Sequence, residues 1–163
     1  MSGASWQPLL AADLPRLCTI EAIVHPGLPE RPEVMAEKLA LYPDGCRKLM
    51  LGFDRVGSAI AHPWFSGRAP ALDEFLGALP PRPGCLHMHD VALLPEARGH
   101  GAARAYVEHL AALAEAAGIH CLACVSVYGT APLWSALGFR SVTPTEGGLA
   151  SYPSDAVYMQ MPI

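Results

Sequence analysis

The middle of the chain alternates apolar runs with segments of helical spacing, and that rhythm predicts most of its elements. Residues 85–94 form a nearly continuous apolar run broken by His87, His89 and Asp90, which reads as a central strand. Ala103, Tyr106/Val107, Leu110, Leu113/Ala114 and Ala117 then repeat at three and four, predicting a helix over residues 101–117 that Gly118 ends. A strand over 119–127, a short helix over 130–137 and strands over 139–142 and 157–161 complete the C-terminal half. Before them come a strand at 6–9 and a helix from Ala11-Ala12-Asp13 to Val24, stopped by Pro26 and Pro29. A second helix, 32–41, carries proline in its first turn. Residues 47–53 and 56–64 read as a hairpin around Asp54-Arg55. Residues 65–84, crowded with proline and glycine, read as a loop holding a turn or two of helix at 72–76. Strands alternate with helices only in the middle, so the expected class is α/β (α+β), with a mixed sheet in a single domain spanning 1–163.

Chemistry first shows in Arg98-Gly99-His100-Gly101-Ala102-Ala103, at the corner between the central strand and helix. A glycine-rich helix start leaves backbone N–H groups unpaired where the peptide dipoles favour negative charge, a seat for phosphate oxygens. The segment lacks the Gly-Lys-Ser/Thr of a Walker loop, and the third glycine and ribose-binding acid of a dinucleotide fold.

Arg98-x-x-Gly101-x-Ala103, after a strand ending Leu94-Pro95-Glu96, resembles the signature of the GCN5-related N-acetyltransferase (GNAT) superfamily. A second block, residues 131–139 ending in Gly138-Phe139, is similar to the short helix and Gly-Phe corner of those enzymes. The resemblance implies a mostly antiparallel sheet of six or seven strands with about four helices, and acetyl-CoA as co-substrate. It would place the pyrophosphate on Gly99, His100, Gly101, Ala102 and Ala103 and the pantetheine arm along Val91, Ala92 and Leu93. Arg98 either assists phosphate or pairs with Glu96. The family's tyrosine acid is replaced by Trp134, which would pack on the CoA arm. Tyr128 or water is then the candidate proton donor, and Val127 stands where relatives often carry asparagine.

An alkyl ammonium, with a pKa near ~10.4, must lose a proton before it attacks a thioester, so a group titrating near neutrality is wanted. His87, His89 and Asp90 are the candidates. Strand alternation puts both histidines on one face and Asp90 on the other, unless a bulge brings neighbours to one cavity. Glu21, His25, Tyr42, His62, Trp64 and the 65–84 loop are acceptor candidates by position. The expected activity is transfer of an acetyl group to a primary amine of a small molecule or peptide. The alternative is a non-catalytic acyl-CoA-binding sensor on the same fold.

Composition narrows the partners. The 163 residues carry a formal net charge of −4 and no basic run, which argues against a nucleic-acid surface. No apolar stretch approaches the ~18 residues of a membrane span, so a cytoplasmic protein is expected, with a homodimer open because 52% of residues are hydrophobic. Cys121 and Cys124 form a C-x-x-C on a strand, where residues three apart face opposite sides. They are expected to be core thiols, and no metal site is expected.

Overall fold

The computed structural model describes residues 3–145 and 147–163. Seven strands form one sheet: β1 (Ser5–Pro8), β2 (Arg47–Leu51), β3 (Asp54–Trp64), β4 (Cys85–Leu93), β5 (Cys121–Ser126), β6 (Arg140–Ser141) and β7 (Val157–Pro162), in the order β1-β2-β3-β4-β5-β7-β6. Only β4 and β5 pair in parallel. Four helices flank it: α1 (Leu14–Val24), α2 (Pro32–Leu41), α3 (Ala102–Ala116) and α4 (Ala131–Ala136). The architecture is the mixed, mostly antiparallel one that the resemblance implies.

The helix α3 buries a stripe of Ala102, Tyr106, Val107, Leu110 and Ala114 against the sheet. Leu110 is fully buried, and truncating it to alanine should cost about 2–5 kcal/mol. The helix ends where Gly118 takes φ +70° and the N–H groups of Ile119 and Gly118 return to the carbonyls of Ala114 and Glu115, satisfying the last turn. On the opposite side, Leu17 of α1 and Met35 and Leu39 of α2 pack with Ile60 of β3.

Two sequence expectations are corrected. The hairpin turns at Gly52-Phe53, not at Asp54-Arg55, because Gly52 supplies the left-handed conformation (φ +63°) that a tight turn demands. Residues 72–76 form no helix: Leu72 and Asp73 make a turn, with Asp73 at φ +57°, and the backbone N–H groups of Leu72, Asp73 and Leu76 are taken by side chains from elsewhere. The C-x-x-C pair does face opposite sides, Cys124 packing in the α3 core and Cys121 with Cys85 and Tyr158 on the other face.

Candidate functional site

Arg98, Gly99, His100 and Gly101 are all exposed, and Gly99 (φ +80°) and Gly101 (φ +70°) adopt the left-handed conformation that turns the chain into α3. No side chain caps the helix, and the N–H groups of residues 99–103 have no acceptor among the described residues. Trp6 Nε1 donates to the Ala102 carbonyl at 2.8 Å and fixes this corner to β1. Arg98 makes no ion pair among the described residues, with Glu96 or any other acid.

Next to this corner the sheet opens. Pairing between β4 and β5 runs only from Leu86↔Leu122 to Met88↔Cys124, although both strands continue. The β5-facing edge of β4 beyond Met88, including Val91, Ala92 and Leu93, is therefore free of a strand partner on that side, a template for an extended ligand. The gap is a cavity of about 450 Å³ that runs from Arg98 and Ala103 past Val91 and Leu93 to His89, Asp90, His25 and Glu21.

A bulge shapes its deep end. Ile60 pairs with Asp90 but the next residue, Ala61, pairs with Met88, so His89 is extra in β4. The alternation of faces slips there, and His89 and Asp90 both line the cavity.

Asp90 sits in a cluster with Glu21 and His25, one polar atom of each lying within 4.8 Å of the other two. His25 Nε2 lies 3.2 Å from Asp90 Oδ1. Burial raises the Glu21 carboxyl well above the usual range, and the adjacent Asp90 charge raises it further. Asp90 itself is held below its usual value: burial opposes this, but hydrogen bonds from Glu21 and His25 outweigh it. For His25 burial pulls the pKa down, and the Asp90 contact overcomes that, leaving a net rise above 6.5. One proton on Glu21, one charge on Asp90 and an imidazole beside them titrate as a unit.

Three other histidines form a separate group. His62 and His87 are fully buried and lie outside the cavity lining; the His62, His87 and His89 rings are 5.9–6.2 Å apart. Burial lowers His62 to about 3, with His89 adding to the fall, and places His87 well below its ordinary value. His89 Nε2 contacts both oxygens of Glu30 at 3.0 and 3.1 Å, and its side chain is fully enclosed. The geometry thus brings Asp90 together with Glu21 and His25, and turns His89 toward Glu30.

Tyr128 stands at the mouth in a left-handed conformation (φ +55°), its ring stacked on His25 at 5.7 Å and 10°. A tyrosine at positive φ is strained by its Cβ, a conformation that concentrates at functional sites. Trp134 and Val127 also line the cavity, Trp134 with its ring edge-on to Phe139. Tyr42 and Trp64 do not. Leu72 of the 65–84 loop lines it, and so do Glu30 and Tyr152, which sequence reasoning did not single out. They lie in irregular segments, where no periodicity marks an inward side chain.

The model of the acetyltransferase (GNAT) family matches residues 25–139, most of the chain, and the protein belongs to that family. No curated protein matches it closely enough to count as a relative. Among solved structures, the loading GNATL domain of CurA from Lyngbya majuscula is similar at 14% identity over 99% of this chain and 98% of that one, TM-score 0.79. The GphF GNAT-like decarboxylase in complex with isobutyryl-CoA is similar at 19% identity over 97% and 98%, TM-score 0.76. Arabidopsis thaliana Naa50, bound to the bisubstrate analogue CoA-Ac-MVNAL, is similar at 11% identity over 99% and 100%, TM-score 0.72. At these identities the likeness is one of fold.

Proposed function

We propose that this protein is an N-acetyltransferase that moves the acetyl group of acetyl-CoA to a primary amine by direct attack. The observation that carries this reading is that one cavity reaches from Arg98 and Ala103, which flank the unpaired amides at the start of α3, to the Glu21–His25–Asp90 cluster, along the free edge of β4. The amides and Arg98 would hold the pyrophosphate, the β4 edge the pantetheine arm, and Trp134 would pack on that arm.

The acid-base work falls to the cluster. The Val91 carbonyl, 3.3 Å from His25 Nε2, can only accept a hydrogen bond, so Nε2 carries the hydrogen and neutral His25 keeps its lone pair on Nδ1, which has no partner. Asp90 orients and strengthens this base, and protonated Glu21 steadies the Asp90 charge. Because Nδ1 is buried, His25 takes through a water, rather than directly, the proton that the ammonium loses. The amine nitrogen then bonds to the acetyl carbon, the C–S bond breaks, Tyr128 or water protonates the thiolate, and the second proton that the nitrogen sheds on becoming an amide replaces the one that donor gave. Glu30 positions His89 and adds its negative charge to the deep end of the cavity.

A decarboxylase reading, suggested by the likeness to GphF, needs a site that welcomes a substrate carboxylate. Here the deep end already holds Glu21, Glu30 and Asp90, with Asp90 and Glu30 both held low and charged, which suits an incoming ammonium instead. Following CoA release with acetyl-CoA and a panel of amines tests the proposal. Acetyl transfer supports it; binding of acetyl-CoA with no transfer to any amine favours the sensor.

A further inference from the structure

The opening between β4 and β5 narrows to an apex. Pairing stops at Met88↔Cys124, and both residues line the cavity although they are almost fully buried. The free edge of β4 therefore leads from Leu93, near Arg98, to a closed end beside His89. A chain laid extended along that edge, with its phosphates on the α3 corner, points its far end at this apex.

Tyr152 stands at the same end. It lines the cavity, and burial raises its phenol above the ordinary value, with the charges of Glu30 and Asp90 and the nearby Cys124 adding to the rise. The ring is held in place from several directions. Its Oη donates to the Pro70 carbonyl at 2.9 Å and its N–H to the Leu149 carbonyl at 2.9 Å, while Ser151 Oγ accepts the Leu72 N–H at 3.0 Å. The segment it is bonded to is anchored in turn at Glu30, whose Oε1 accepts the Asp73 N–H at 2.9 Å. With its hydroxyl hydrogen taken by Pro70, the ring presents the cavity with apolar surface.

Resting on the acetyl-CoA-dependent reading above, we infer that Tyr152 sets the length of the acyl group: it is the stop beyond the thioester, and the donor is acetyl- or propionyl-CoA rather than a medium-chain acyl-CoA. An arm paired along Val91 to Leu93 leaves the thioester level with Asp90 and His89 and sends the acyl carbons on toward Met88, Cys124 and Tyr152. A close-packed wall discriminates by the methylene, because each carbon beyond the space available must displace a side chain fixed by hydrogen bonds. The Glu21–His25–Asp90 cluster stays free for the amine.

The test compares acetyl-, propionyl- and hexanoyl-CoA with the unmodified chain, Tyr152→Ala and Tyr152→Phe. CoA release is followed with an amine that the acetyl-CoA reaction accepts, and the affinity of each donor is measured separately by calorimetry. The unmodified chain is expected to favour acetyl-CoA over hexanoyl-CoA by at least about tenfold, both in kcat/KM and in affinity. Tyr152→Ala removes the ring and should improve hexanoyl-CoA relative to acetyl-CoA by about tenfold or more. Tyr152→Phe loses the bond to Pro70 but keeps the ring, and should keep the preference of the unmodified chain. Tyr152→Leu, a smaller truncation, serves if the alanine variant does not fold. Hexanoyl-CoA used and bound as well as acetyl-CoA by the unmodified chain overturns the inference and leaves amine acetylation standing. So does a preference that Tyr152→Ala leaves unchanged, or that Tyr152→Phe loses as fully. Affinities in the expected order with no acyl group transferred to any amine uphold the stop and overturn amine acetylation instead.

Discussion

His25 Nε2 is held between Asp90 Oδ1, at 3.2 Å, and the carbonyl oxygen of Val91, at 3.3 Å. That single contact joins the loop after α1 to the bulged strand β4, fixes the tautomer of the imidazole, and couples its charge to a buried carboxylate.

Replacing Asp90 with asparagine keeps the shape and removes the charge. We expect kcat to fall about 10²–10³-fold while acetyl-CoA affinity stays within about twofold, because the lost group acts on the proton and not on the donor. Steady-state kinetics beside a calorimetric titration checks this. Glu21→Gln should cost less, since the amide still donates to Asp90, and the double variant should fall short of the product of the two effects.

The pH profile carries the same signature. His25 must be neutral to act, and its pKa lies above 6.5, so kcat/KM should rise with pH through a midpoint above 6.5. Without the Asp90 charge the main raising contact is lost and only the Val91 carbonyl and Glu30 still oppose burial, so the midpoint in Asp90→Asn should move down. A midpoint that does not move would assign the limb to another group.

Tyr128→Phe isolates the proton donor. A thiol leaving group of pKa near ~8.5 departs with little help, so a modest loss in kcat of about 3–10-fold is expected. The ring still stacks on His25, and acetyl-CoA binding should be unchanged.

Acid stability reports on the buried histidines. His62 and His87 have folded pKa values below their unfolded ones, so below about 6.5 the unfolded chain binds more protons than the folded chain. The stability they contribute is complete above about pH 7 and is lost as pH falls, for His62 down to about 3. Each contributes about 1.4 kcal/mol of loss per pH unit within that window, and His25, whose pKa is raised, offsets part of it. Urea midpoints at pH 7 and pH 5 should therefore differ clearly, and His62→Gln should flatten the difference.

The fold was legible because its signals are local. The spacing of Tyr106, Leu110 and Ala114 marks α3, and Gly99 and Gly101 mark the corner before it. The proposed catalytic cluster was legible only in part. Asp90 stands out within β4, and a bulge was the condition for it to share a cavity with His89, which Ile60 and Ala61 now mark in the register. The partnership of Asp90 with Glu21 and His25 joins positions 65–69 residues apart, and no periodicity records such a contact. The loop at 65–84 is legible from its prolines and glycines, but the helix expected at 72–76 does not form, because the hydrogen bonds there go to Glu30, Glu37 and Ser151, none of them local.

The central claim is that the turn into α3 holds a diphosphate through its amides, and calorimetric titration of acetyl-CoA into the protein and its Gly101→Val variant tests it most directly. At φ +70° a β-branched residue is strained by about 1–2 kcal/mol, and its side chain would stand on the exposed corner where the phosphates approach. The account predicts saturable binding to the unmodified chain, weakened by about tenfold or more in a variant that remains folded. No binding at millimolar acetyl-CoA, or equal affinity in the two proteins, would contradict it.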